Sequence, residues 1–413
     1  MSSRQNINRT WREFASHYKR PPTSVAYSPG RVNLIGDHTD YNGGLALPAP
    51  INRWVHAGVA QTKLDKGPGL RVHSAASGET LEWRREMDAP ETTWMRFAQG
   101  AYELWSERFG KEAGFDVYVW GDVPQGVGLS SSAALGVALL NGLSAASGTE
   151  LEAMELCRLA QRIEHEYLGL QSGLLDQMAV VYGKKDALME LDFKDLSMQY
   201  HELPQLDVKW VVIDSGVRRE LSNSGYQQRV EETRAAMEEL GRLNAAVQHP
   251  RDVTKQNLEA LLYPPDGIPG PESRAAAEEP VGRGFSREAL YRRLRHFISE
   301  NERVRSFIGH LKGGDIWAAG DVMDASHASL RDDYESSCEE VDVLQSEAIR
   351  TKGCLGSRIM GGGFGGCTIN MVVPERVETF LENVGVRYEA ATGLKAKGFA
   401  FDWANAAGVQ GKL

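Results

Sequence analysis

The chain has little of several things that would place it at once. Cysteine is scarce: Cys157, Cys338, Cys354 and Cys367 are the four in 413 residues. None stands at the CxxC or CxxxC spacing of a metal or redox pair. Reduced thiols in a cytoplasmic protein are the expectation. No run approaches the roughly 18 uninterrupted apolar residues of a membrane span, so no membrane association is expected. The N-terminal stretch MSSRQNINRTWREF lacks the apolar centre of a secretory signal. Excess positive charge is also missing. The formal net charge is −10, which argues against a nucleic-acid protein with a basic face. Finally, there is no GxxxxGK[ST], so a phosphate site here must work without a Walker lysine.

What the chain does have is glycine, 43 residues of it, above the usual share of about 7%. The excess is concentrated at Gly36–Gly44, Gly121–Gly128 and Gly361–Gly366. Clustered glycines mark backbone that turns tightly or approaches a ligand closely. Hydrophobic content of 42% and charged content of 25% are those of a soluble globular protein. The length exceeds one simple core, so two domains are expected.

Patterning places the clusters on elements. Residues 8–18 read as a surface helix opened by Asn8. Phe115–Trp120 and Val208–Gly216 read as strands, and a helix begins near Ser130. Leu156, Leu159, Ile163 and Tyr167 recur at helical spacing. A helix follows Arg287, and a strand runs Cys367–Val373. The stretch 245–285 is the least patterned and reads as a variable excursion in the second domain. Strands and helices mix without regular βαβ alternation, which favours an α+β architecture.

The second cluster, VPQGVGLSSSAAL, follows a strand and opens a helix. Gly126 and Gly128 allow backbone N–H groups to converge as a nest. The helix start adds unpaired donors and a positive dipole end, and Ser130, Ser131 and Ser132 add hydroxyls. A serine-capped helix after a glycine turn is the plain alternative. The third cluster contains Gly361-x-Gly363-x-x-Gly366. A dinucleotide fingerprint needs a helix after it, whereas a strand follows here, so that reading fails on context.

The carboxylates divide the same way. Asp176 sits among Leu174, Leu175, Met178, Ala179 and Val180, where an unpaired charge is costly. It is either a satisfied structural residue, an N-cap, or a general base for a hydroxyl. Glu164 alone reads as a solvated helix residue. In SPGRVNLIGDHTDYNGG, Asp37, His38, Asp40 and Asn42 fall within six residues. A calcium loop fails, because the twelfth position from Asp37 is Pro48. Vicinal sugar hydroxyls suit such acceptors better. A polar turn bonding its own backbone is the alternative.

Taken in order, GRVNLIGDHTDYNGG, VPQGVGLSSSAAL and GSRIMGGGFGGCTINMV resemble the three signature motifs of the GHMP kinases. The first, with SHASLRDDYESSCEEVD and RLRHFISENERV, resembles the galactokinase family in particular. The resemblance runs from about Trp11 to Thr392. It implies an N-terminal domain like ribosomal protein S5 domain 2, residues 1–200, and a ferredoxin-like C-terminal domain, residues 201–413. It also implies ATP-dependent phosphorylation of galactose at the anomeric hydroxyl, by an enzyme using ATP and Mg²⁺ and working as a monomer. By motif position, Asp176 and Arg31 match the catalytic pair. Asp37, His38, Asp40, Gly173 and Tyr226 match sugar-binding positions. Gly126, Val127, Gly128, Leu129, Ser130, Ser131 and Ser132 match the ATP phosphate loop, and Ser132 and Glu164 match the metal ligands. The family usually has glutamate where Asp37 stands, so sugar preference at C6 is open. Ser172 replaces a common cysteine. The competing readings are a kinase for another hexose and a non-catalytic sugar and ATP sensor, but the serine motif is intact here.

Overall fold

A computed structural model describes residues 3–64, 67–218, 225–262, 278, 280–281 and 283–411. The first sheet has six strands, in the order Gly408–Gln410, Ser24–Asn33, Pro48–Thr62, Gly114–Gly121, Gly69–Ser74 and Glu79–Trp83. Its pairings are antiparallel except for Gly69–Ser74 against Gly114–Gly121, which are parallel. Strand Ser24–Asn33 is buried on both faces apart from Tyr27, because helices cover the sheet from both sides. Phe14 and Thr10 of helix Ser3–Tyr18 press on Gly58 from one side. Gly142 of helix Ser131–Ala146 meets Val59 from the other. That second helix is apolar or small nearly all round, as a helix between a sheet and further helices must be. The N-terminal helix starts at Ser3, so Asn8 lies inside it rather than opening it.

The second large sheet is a four-stranded antiparallel one, ordered Cys354–Met360, Cys367–Val372, Lys209–Asp214 and Lys397–Phe401. Helices Glu339–Ile349 and Val377–Thr392 pack Leu344, Ala348, Phe380, Val384 and Tyr388 on one face. A helical hairpin, Arg287–Gly313 and Ile316–Asp332, supplies Phe307, Leu311 and Met323 beside Ile369 and Met371. This is an α+β fold built on two large sheets, with a three-stranded and a two-stranded sheet beside them among the described residues. The final strand, Gly408–Gln410, returns to the first sheet and pairs with Val25–Tyr27.

Part of the excursion 245–285 has a clear pattern after all. Leu258 and Leu261 of helix Lys255–Leu262 join Ala236, Leu240, Leu290 and Leu294 in a small separate core. Residues 263–277, 279 and 282 of that stretch lie outside the described residues.

Candidate active site

The three glycine clusters converge where the two sheets meet. Arg31 lies near the end of strand Ser24–Asn33, just past a register shift at Pro29 and Gly30. Its backbone N–H donates to Leu129 O at 3.2 Å. Its Nη1 donates to Gly128 O at 2.5 Å, and its Nη2 lies 2.5 Å from Asp176 Oδ1. The arginine side chain is 7% exposed and the aspartate 29%. The pair is therefore screened from bulk water, but the carboxylate keeps an open edge for a substrate. Asp176 is the second residue of helix Leu175–Tyr182, which Leu174 caps. The N-cap alternative for Asp176 is thereby excluded.

The candidate phosphate loop is held in an unusual conformation. Gly126 (φ 70°), Gly128 (φ 78°) and Ser130 (φ 54°) are all left-handed. Ser130 precedes helix Ser131–Ala146, makes no side-chain cap, and keeps its Oγ buried without a partner. A buried orphan hydroxyl beside unpaired helix N–H groups is the arrangement an anion would complete. The third cluster packs against this loop. A Cβ on Gly361 would meet Gly128 Cα at 3.4 Å, and one on Gly366 would meet Val127 O at 3.5 Å.

Glu164 is buried, not solvated. It sits in a π-helical turn, Ile163–Tyr167, that continues helix Ala153–Arg162. Such turns re-aim a side chain and recur at functional sites. The turn carries the carboxylate inward, where it is 3% exposed. Burial raises its pKa, while hydrogen bonds from Ser172, Ser132 and Gln177 pull it back. Ser172 Oγ donates at 2.5 Å and Gln177 Nε2 at 3.0 Å. Ser132, in the first turn of helix Ser131–Ala146, and Glu164 are thus adjacent, one hydroxyl beside one carboxylate. That donor set fits Mg²⁺, which keeps waters and phosphate oxygens for its other positions.

The polar loop of the first motif forms the remaining wall. His38 is left-handed (φ 60°), a conformation held by Asn42 Nδ2 donating to its carbonyl at 3.0 Å. Its ring lies 4.6 Å from that of Tyr334 and 5.5 Å from that of Tyr226. Burial lowers the His38 pKa to about 3, so the ring is neutral. Asp40 opens the 3₁₀ turn Asp40–Asn42. Enclosure by protein lifts its carboxyl to about 7, with Asp176 and Asp37 adding like charge. Gly173 packs on that carboxylate so closely that a Cβ there would stand 1.9 Å from Asp40 Oδ2. Tyr226 is half-buried, and burial first, then the charge of Asp40, raises its hydroxyl pKa.

Asp37 lies in the same loop with both oxygens engaged. Oδ2 accepts from Arg358 Nη2 and Oδ1 from the Gly361 N–H at 3.1 Å. Arg358 itself passed unnoticed in the sequence. A lone arginine in the apolar run CLGSRIM needs a buried partner, and that was its available signal. Tyr41 and Tyr334 were missed too. Tyr41 OH sits 2.8 Å from His38 Nδ1 and 2.7 Å from Tyr334 OH, so a residue from the C-terminal half backs the polar loop.

Family models place this chain, with its two large sheets and the glycine loops meeting at their junction, among the GHMP kinases. The model of the GHMP kinases N terminal domain matches residues 96–184, and that of the GHMP kinases C terminal matches residues 307–387. Mevalonate kinase shares the fold, with a TM-score of 0.63 at 15% identity over 92% of this chain and 99% of that one. The galactokinase galactose-binding signature matches residues 12–61. Galactokinases of Roseiflexus sp. and Halalkalibacterium halodurans are 36% and 33% identical, covering 93% and 90% of this chain and 92% and 89% of theirs. The crystal structure of Lactococcus lactis galactokinase complexed with galactose superposes with a TM-score of 0.81, at 29% identity, over 97% of this chain and 99% of that one. The chain belongs to the galactokinase family.

Proposed function

We propose that this protein phosphorylates α-D-galactose at its anomeric hydroxyl with ATP, giving galactose 1-phosphate and ADP. The observation that carries this is Arg31, which spans from the Asp176 carboxylate to the carbonyl of Gly128 in the phosphate loop. One side chain thereby touches the candidate base and the candidate phosphate cradle. Asp176 takes the proton from the anomeric hydroxyl. The sugar oxygen bonds to the γ-phosphorus as the bond to the β-phosphate oxygen breaks, and Arg31 balances charge on the group in transit. Phosphoryl transfer needs little else from a protein than positioning and charge neutralisation.

His38, Asp40, Gly173 and Tyr226 line the sugar's place, with Asp37 in the same loop. Residues Gly126 to Ser132 cradle the phosphates. Ser132 and Glu164 would hold Mg²⁺. Once bound there, the ion would neutralise negative charge on the β- and γ-phosphates. The phosphate loop and, apart from Tyr226, the sugar site belong to residues 1–200, and the third glycine motif to residues 201–413. The protein would act as a monomer in the cytoplasm, where ATP is supplied.

The test is ADP release by the purified protein across galactose, 2-deoxygalactose, galactosamine, N-acetylgalactosamine, 6-deoxygalactose, galacturonate, glucose and mannose. Galactose is expected to give the highest kcat/KM. No galactose turnover above the sugar-free background, with turnover on another hexose, overturns the assignment.

A further inference from the structure

We propose that Asp37 is a latch between the sugar loop and the third glycine loop, and not the reader of the sugar's 6-hydroxyl. This rests on the galactokinase reading above. Arg358 is fully buried. Its Nη1 donates to Asn33 O and Leu34 O, both at 3.0 Å, and its Nη2 to Asp37 Oδ2. The guanidinium therefore grips the end of strand Ser24–Asn33 and the loop after it together. The other Asp37 oxygen accepts the N–H of Gly361, the first residue of the third glycine cluster. Gly361 in turn lies against Gly128 of the phosphate loop. A short path of direct contacts thus runs from Asp37 to the backbone that would cradle ATP.

The side chain's length decides which way it points. Aspartate is one methylene shorter than glutamate, about 1.5 Å less reach. Both of its oxygens are held on the C-terminal side of the loop. A buried carboxylate paired with a buried arginine stays paired, because separating them leaves an uncompensated charge. The 6-hydroxyl must then be met by other groups or by water, and Asp37 sets the spacing between the two glycine loops.

The experiment is Asp37→Asn in the full chain, with steady-state kinetics on galactose and 6-deoxygalactose and with ATP varied. Asparagine keeps the shape but opposes Arg358 with an amide N–H₂. The latch predicts that kcat/KM falls at least tenfold on both sugars alike. Their ratio stays within twofold of wild type, and KM for ATP rises several-fold. A merely structural residue would lower the active fraction without moving KM for ATP. A reader of C6 would lose galactose turnover selectively, collapsing the galactose to 6-deoxygalactose ratio. A tenfold change in that ratio, or an unchanged KM for ATP in a folded variant, overturns the latch. Should Asp37→Asn not fold, Arg358→Lys keeps the buried charge, loses the fork, and is read by the same criteria. Failure of the wild type on galactose would sink the function itself. Normal wild-type turnover with a collapsed ratio sinks the latch alone.

Discussion

Gly173→Ala isolates the sugar side of the site from the chemistry. The added Cβ would stand 1.9 Å from Asp40 Oδ2 and 2.6 Å from its Cγ, whereas ordinary contact begins at 3.4 Å. Asp40 must therefore retreat by roughly 1.5 Å, since the backbone of Gly173 joins the turn that carries Asp176. A displacement of that size breaks the hydrogen bond that a carboxylate makes to a sugar hydroxyl. Such a bond to a charged acceptor contributes about 1.5–3 kcal/mol, or roughly 10- to 150-fold in affinity. The expected outcome is a KM for galactose raised by that factor, with KM for ATP unchanged. The phosphate loop and its contacts with Arg31 lie on other segments. The assay is a two-substrate kinetic matrix, backed by thermal melting to establish folding. A folded Gly173→Ala enzyme with galactose KM within twofold of wild type would refute the placement of Asp40 at the sugar.

Three further perturbations test separate parts of the molecule. Asp176→Asn is expected to bind galactose as before but to lose turnover by about 10²–10⁴; near-normal kcat in calorimetrically competent protein would remove the base role. Glu300→Gln is expected to cost roughly 3–5 kcal/mol in denaturant unfolding at pH 7, because it removes the buried partner of half-buried Arg303 and weakens the hold on Gly36 N. Burial pushes Glu300 up, but Arg303 and His296 outweigh it and bring its carboxyl down to about 2. Its stabilising contribution is thus complete above the unfolded value near ~4.3 and is lost as pH falls through about 2. The difference between Glu300→Gln and wild type should shrink over that window, and a difference constant from pH 7 to 2 would count against the assignment. For Asp40 the sign reverses. A carboxyl raised to about 7 holds its proton more tightly folded than unfolded, so stability declines as pH rises from ~3.8 to 7. Asp40→Asn should unfold at higher denaturant than wild type at pH 8 but not at pH 4, while binding galactose more weakly; equal midpoints at both pH values would contradict the raised pKa.

Much of the architecture was legible because it rests on local pattern. Alternating and β-branched runs gave the strands at Phe115–Trp120 and Val208–Gly216, which the structure extends or trims to Gly114–Gly121 and Lys209–Asp214. Glycine followed by serines located the turn and the helix Ser131–Ala146 after it. The failures share a different cause. Glu164 has a helical sequence environment, and only the π turn, which local spacing does not announce, rotates it from solvent into the interior. Gly173 looks like any loop glycine until Asp40, over a hundred residues earlier, arrives against it. Arg358 and Tyr334 act on a loop some three hundred residues away in sequence. Pattern reading sees neighbours at short spacing, and these contacts exist only after the two halves close.

The same long-range contacts explain how so unfavourable a site is maintained. His38, Ser130 and Phe364 are held left-handed, and each such residue costs of order 1–3 kcal/mol. Asp40 is partly desolvated beside two other carboxylates. Neither feature would survive on an isolated loop. The compensation is supplied from the C-terminal half, through backbone groups of the sugar loop. Glu300 accepts the Gly36 N–H at 2.9 Å. His296 Nε2 donates to Asp37 O at 3.1 Å, and Asn301 Oδ1 accepts the Leu45 N–H at 2.7 Å. All three side chains project from helix Arg287–Gly313, so one rigid element fixes the loop's path at three points. It follows that substitutions on that helix will act first on loop geometry and sugar KM, and that Asp37, tied to Arg358 and to the Gly361 N–H, holds the same loop from the C-terminal half.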